Sequence, residues 1–235
     1  LKLHKKLNGD IACIVMDLVA RYYPEKNFLK KVRDFCSKNK ILLVFDEIVT
    51  GFRINKGGAQ TFFKVTPDLS CFGKAMGNGM PISALVGKKQ YMKKFEDVFY
   101  AMNFVGEKAS LAAAKVTLDY YLKNNVAREI NQKGNFLSTQ LKKIIEKYKI
   151  NNFIQIQGMS SRIIIGFKNN LDSDFLKKKS ANIDQIVRFM IHTFAKNKIL
   201  CNLSVFINKS HSKKDLIKFA KIFDQICYKI SNSRV

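Results

Sequence analysis

The sequence predicts an α/β protein, with part of a mostly parallel-sheet large domain followed by a small α+β domain. Three observations predict it. Two short apolar runs rich in branched residues, IACIVM (11–16) and ILLVF (41–45), flank one amphipathic stretch with short links. That is a strand–helix–strand unit, and such continuous apolar runs suit strands buried on both faces. Chemistry-bearing residues follow these runs directly, as in VFDEIVTGFR (44–53) and CFGKAMGNGMP (71–81). After Asn151 the pattern changes to short strands (FIQIQ, RIIIGF, ILCNLSVF) alternating with amphipathic helices.

The elements follow in order. Residues 27–38 place Phe28, Leu29, Val32, Phe35 and Cys36 on one helical face, and Asn39 is expected as the left-handed residue that ends the helix. Pro67-Asp68 marks a turn before the strand LSCF (69–72). A glycine-rich loop follows, then a strand at ISALVG (82–87) and a helix around Lys89–Phe95. Helices are expected at 109–122 and 136–148, the first carrying Leu111, Ala114, Leu118 and Tyr121. A helix at 183–194 carries Ile183, Ile186, Val187, Met190, Ile191 and Phe194 on one stripe. The last helix begins near Ser212, with Asp215 three residues on in a capping-box pattern, and its stripe is Leu216, Phe219, Phe223, Ile226 and Ile230. These readings divide the chain into a large-domain part, 1–115, and a small domain with its connecting helix, 116–235.

Composition narrows the class. The 235 residues are 47% hydrophobic, enough for a sizeable core. No run approaches the roughly 18 consecutive apolar residues of a membrane span. The start, LKLHKKLNGDIACIVMD, does not read as a signal peptide, because Asp17 closes its short apolar run. The five cysteines are scattered in apolar runs without metal-finger or CxxC spacing, and are expected to be buried, reduced thiols of a cytoplasmic protein. The net charge of +24 is compatible with a nucleic-acid partner. The lysines, however, fall at outer positions of amphipathic helices, as in LKKIIEKYK and SKKDLIKFAKIF, and no nucleic-acid-binding motif accompanies them. Neither a nucleic-acid nor a membrane partner is therefore expected.

Asp46 stands at the C-terminal end of a buried parallel strand, where ligands of open α/β sheets bind. An isolated Asp there is more simply a turn cap. Lys74 follows at the end of the next strand, 28 residues later. Neighbouring strand ends place the two side chains to hold opposite ends of one small ligand. A lysine beside an electrophilic carbonyl forms a Schiff base, and an aspartate holds a protonated pyridine nitrogen. Pyridoxal phosphate needs both.

FDEIVTGFR, GGAQ, PDL, GK, the glycine-rich loop ending in Pro81 and the later GEKASLAAA occur in this order between Phe45 and Ala114. This ordered set resembles the class III pyridoxal-phosphate-dependent aminotransferases, most closely their glutamate-1-semialdehyde aminomutase-like branch. The resemblance implies a fold-type-I large domain and transfer of an amino group from a small-molecule amino donor to a carbonyl acceptor. It implies that Lys74 is the Schiff-base and proton-shuttle lysine. Asp46 pairs with the pyridine nitrogen, and Ile48 packs on the cofactor ring. Asn103 aligns with a threonine that reaches the phosphate of the partner subunit's cofactor, so a homodimer is implied for the full-length protein. Arg53 has two readings, a contact to substrate carboxylate or partner subunit and a structural salt bridge. His4, His192 and His211 belong to no motif.

Two departures stand out. Where the family usually has Met-Glu-Pro, this chain has Met16-Asp17-Leu18 and then VARYYP, which reshapes the site entrance or substrate preference. Full-length members also carry a long N-terminal part with the phosphate-cradling loop. This chain is expected to be a C-terminal fragment that binds the cofactor weakly or not at all on its own. A non-catalytic relative kept for subunit assembly is the second reading.

Overall fold

The computed structural model describes residues 6–7, 9–99, 103–168 and 182–232. His4 lies outside the described residues. The chain divides into two compact units, Leu1–Arg128 and Glu129–Val235. The boundary expected at 115/116 falls within the helix Lys108–Lys123.

The first unit contains a four-stranded sheet whose spatial order follows the chain: β1 (Cys13–Asp17), β2 (Leu42–Asp46), β3 (Leu69–Phe72) and β4 (Ala84–Gly87). The pairs β1–β2 and β2–β3 are parallel, and β4 returns antiparallel to β3. Helix α1 (Phe28–Lys38) forms the first crossover and buries Leu29 and Cys36. Its end differs from expectation. Asn39 has φ −102°, and the left-handed residue is Lys40, at φ 56°. Asn39 instead donates its side-chain amide to Phe35 O at 2.8 Å, closing the last turn without a glycine-like backbone. Leu43 and Phe45 of β2 are fully buried, as a central parallel strand requires. β1 is an edge strand, with Cys13 and Val15 exposed. Cys13 is therefore not the buried thiol expected, whereas Cys36, Cys201 and Cys227 are buried and all five cysteines are free.

The N-terminal edge of this sheet is closed by Asp68. Its carboxylate accepts from Arg33 Nη1 at 2.8 Å, Lys88 Nζ at 2.6 Å and Leu43 N at 2.8 Å, and the residue is 3% exposed. Burial pushes its pKa up, but the Leu43 amide and the two cations outweigh burial and hold the carboxyl at about 2.

The short helix α2 (Gly58–Phe63) lies between β2 and β3 in the chain, and after β4 come α3 (Lys89–Met92) with a following 3-10 turn and α4 (Lys108–Lys123). Glu107 caps α4, accepting from the amides of Ala109 at 2.9 Å and Ser110 at 2.7 Å.

In the second unit, β5 (Ile154–Met159), β6 (Arg162–Phe167) and β7 (Ser204–Phe206) form an antiparallel sheet. With it occur α5 (Val126–Lys147), α6 (Ile183–Lys196) and α7 (Lys213–Asn232). Leu137, Leu141, Ile163, Met190, Phe194 and Phe223 fill its core at 0–1% exposure. The rings of Phe194 and Phe219 stack at 4.7 Å. The capping box at Ser212 forms as expected: Ser212 N donates to Asp215 Oδ2 at 2.8 Å, and Asp215 N to Ser212 Oγ at 3.2 Å. Helix α5 starts ten residues before the sequence expectation. β7 covers only the end of ILCNLSVF, because Leu203 adopts φ 65° and Asn202 turns its side chain to Ser204 N. Among the described residues no helix is long and apolar enough to cross a membrane.

Candidate active site

The C-terminal edge of the first sheet brings the candidate residues together. Parallel pairing aligns Asp17 with Asp46 and Asp46 with Cys71. Lys74 lies three residues beyond Cys71 and two beyond the end of β3. Asp46 is half-buried, and its Oδ1 accepts from Ile48 N at 2.9 Å. That bond fixes the carboxylate at the strand end. Its Oδ2 takes no hydrogen bond among the described residues. The negative charge is felt next door: burial first, then Asp46, raises the pKa of the Cys71 thiol.

Lys74 is exposed and opens a 3-10 turn, Lys74–Met76. Its φ of 46° is left-handed, a conformation that costs a non-glycine residue about 1–2 kcal/mol. Met76 N donates to Gly73 O at 3.1 Å and Gly77 N to Lys74 O at 3.2 Å, so the chain doubles back at once. Gly77 permits that reversal, since a Cβ there would lie 2.4 Å from Met80 O. Gly79 adopts φ 110°, which L side chains rarely do. A Cβ on Gly73 would meet only ordinary contacts, 3.6 Å from Ile82 O and 3.8 Å from Ile48 Cγ2. Ile48 thus packs beside the residue preceding Lys74. An amine, a carboxylate with a free oxygen and an apolar wall share one strand edge. That donor set fits a planar pyridine aldehyde such as pyridoxal.

Sequence reasoning gave Glu47 no role, and the structure gives it a definite one. Glu47 is fully buried. Its carboxylate accepts from Thr50 Oγ1 at 2.5 Å, Ala59 N at 2.8 Å and Gln60 N at 2.8 Å. It sits at the start of α2, where free amides favour a negative charge. Gly58, at φ 76°, lets it approach: a Cβ would lie 2.7 Å from Glu47 Oε1. Every bond is structural, so of the adjacent acids only Asp46 is left for a ligand. The paired glycines of GGAQ were the signal in the sequence.

Asn103 is exposed in the turn 103–106 before α4. Pro81, Ile82, Phe104, Val105, Glu107 and Ser110 line a cavity of about 470 Å³ near that turn. Arg53 is half-buried in the loop after β2 and is engaged rather than free. His192 and His211 lie in the second unit; the His211 amide donates to Asn208 Oδ1 at 3.1 Å beside the α7 cap. Among the described residues no cluster of His, Cys, Asp or Glu could hold a metal ion.

The profile of the class-III aminotransferases matches residues 2–223. The glutamate-1-semialdehyde 2,1-aminomutase of Methanosphaera stadtmanae is 32% identical over 228 residues, covering 92% of this chain and 53% of that protein. The enzyme of the same name from Methanobrevibacter smithii is 35% identical over 240 residues, covering 94% and 54%. The chain therefore spans about half the length of the curated relatives it matches. Among solved structures, the FumI protein of Sphingopyxis sp. MTA144 superposes with a TM-score of 0.84 at 23% identity, covering 97% of this chain and 54% of that one. An omega-transaminase from Sphaerobacter thermophilus gives 0.82 at 20% identity, with the same coverage. These likenesses show the fold, that of the pyridoxal-phosphate transaminases. With the family profile running through nearly every residue described above, the chain belongs to the class-III aminotransferases.

Proposed function

We propose that this chain carries the lysine-bearing half of a pyridoxal-phosphate-dependent transaminase or aminomutase of the glutamate-1-semialdehyde aminomutase-like branch. One observation carries the reading: Asp46 and Lys74 stand at adjacent C-terminal strand ends of a parallel sheet, with Asp46 in register with Cys71. Bound pyridoxal phosphate supplies the electron sink that makes removal of a proton beside nitrogen feasible.

The chain's residues then divide the work. Lys74 Nζ would be the nucleophile that holds the cofactor and the base that moves the proton. The short reversal at 74–77 keeps that amine at the strand edge. Asp46, its Oδ1 anchored on Ile48 N, would hold the cofactor's ring nitrogen and favour its protonated form. Ile48 forms an apolar wall that excludes water from one side. Asn103 is assigned to the phosphate of a cofactor held by the partner subunit in a homodimer. The substrates are a small-molecule amino donor and a carbonyl acceptor, and Asp17-Leu18 bears on which are admitted.

The chain spans about half the length of the curated relatives it matches, so this activity is proposed for the complete protein. A cytoplasmic setting, which keeps thiols reduced, fits the five free cysteines. The test is borohydride trapping of pyridoxal phosphate on the complete protein, followed by peptide mass spectrometry. The adduct is expected on Lys74 and absent in Lys74→Ala. An adduct on another lysine overturns the assignment. No adduct at all favours a non-catalytic relative retained for subunit assembly.

A further inference from the structure

Lys74 holds a left-handed backbone at φ 46°, and the side chains packed around its turn form a connected series. The residue two positions earlier, Phe72, ends β3 with its ring pressed onto Gly51. A Cβ on Gly51 would lie 2.5 Å from Phe72 Cδ1 and 2.8 Å from Glu47 O. Phe72 meets Phe52 edge to face, with centroids 6.1 Å apart and planes at 71°. Phe52 in turn meets Tyr121 of α4 edge to face, at 5.3 Å and 77°. The series ends on a fixed point. Tyr121 is 7% exposed, and its hydroxyl donates to Asn55 O at 3.1 Å. Burial and then the nearby Glu47 charge push its phenol up to about 12, so it remains a donor across the working pH range. Lys56 Nζ also donates to Leu122 O at 2.6 Å, binding the same loop to the end of α4. Helix α4 itself packs against the Lys74–Met76 turn.

We propose that Phe72, Phe52 and Tyr121 form a three-ring relay that positions Lys74, fixing the turn at 73–77 against helix α4. All three are positioning residues, since none is placed against cofactor or substrate. The relay explains why a glycine stands at 51: the first ring needs the space that any side chain would fill. Edge-to-face geometry suits the task, because ring quadrupoles resist sliding and rotation more than aliphatic contacts do. The proposal gains its catalytic meaning from the role assigned to Lys74 above, but its physical content does not depend on a cofactor.

The experiment is therefore free of cofactor. In the complete protein freed of cofactor, Lys74 is trace-labelled with a small amine reagent and quantified against exposed Lys143, while amide exchange is followed at 73–77. In Tyr121→Leu, the Lys74/Lys143 ratio and exchange at 73–77 are expected to change by about threefold to tenfold, the range that loss of an aromatic pair corresponds to. Tyr121→Phe keeps the ring and loses only the bond to Asn55 O, and is expected to fall between the native protein and Tyr121→Leu. If Tyr121→Leu does not fold, Phe52→Leu serves the same purpose within the relay. Unchanged values in a folded Leu variant overturn the proposal. So does an equal rise in exchange throughout the chain, which would mean general loosening. So does a Tyr121→Phe variant as affected as Tyr121→Leu, since the hydroxyl rather than the ring would then matter. Failure of the cofactor assignment shows itself separately, as borohydride trapping away from Lys74 in the complete protein.

Discussion

The two ends of the four-stranded sheet handle charge in opposite ways. At the N-terminal end Asp68 is buried and spends both oxygens on Arg33, Lys88 and the Leu43 amide. At the C-terminal end Asp46 keeps one oxygen open, and Lys74 stands exposed on a left-handed backbone. One end is finished as structure. The other holds reactive groups ready at a cost in stability. A parallel sheet makes this division natural, since its strand ends point all one way and ligands gather at their carboxyl ends.

The largest expected effect tests the reactive end. In the complete protein, Lys74→Ala should lose the reducible cofactor adduct and all turnover, with thermal unfolding near native. If turnover survives, the two ends do not differ in kind. Next comes Asp68→Asn, which leaves Arg33 and Lys88 without their shared anion. Breaking one partner out of such a buried pair costs about 3 kcal/mol, read as a shift in urea unfolding. Lys74 labelling should not change.

The pH dependence of the N-terminal end follows from the same carboxylate. Its folded pKa of about 2 lies below its ordinary value of 3.8. Its contribution is therefore complete above the unfolded value and is lost as pH falls from about 5 towards 2, amounting to about 2 kcal/mol. Asp68→Asn should flatten that part of the stability–pH curve. The smallest effect sharpens the contrast from the other side. Lys74→Gly relieves the left-handed backbone of its Cβ and should raise stability by about 1 kcal/mol while abolishing the adduct.

Much of this was readable from residues. LSCF is the strand expected, and Asp46 and Lys74 fall together because strand ends in a parallel sheet share an edge. Glu47 was opaque for a physical reason. Its partner, α2, has six residues, too few to show helical periodicity, and a buried carboxylate in a polar run looks like a loop. The early start of α5 carries the helix through Gly134. In the structure a Cβ at 134 would lie 1.8 Å from Ser160 O, so the glycine serves packing rather than interruption. Asn39 misled because it caps through its side chain while Lys40 takes the left-handed turn. The relay through Phe52 was beyond pattern reading, since its members are brought together only by tertiary contact.

The order of strands in the first sheet matches their order along the chain. During synthesis, each new strand therefore meets a neighbour that has already left the ribosome. Each strand pairs with its immediate predecessor, so no pairing in this sheet has to wait for a strand made later. The Asp46 end is laid down before the lysine turn emerges, so Lys74 bends against a surface that already exists.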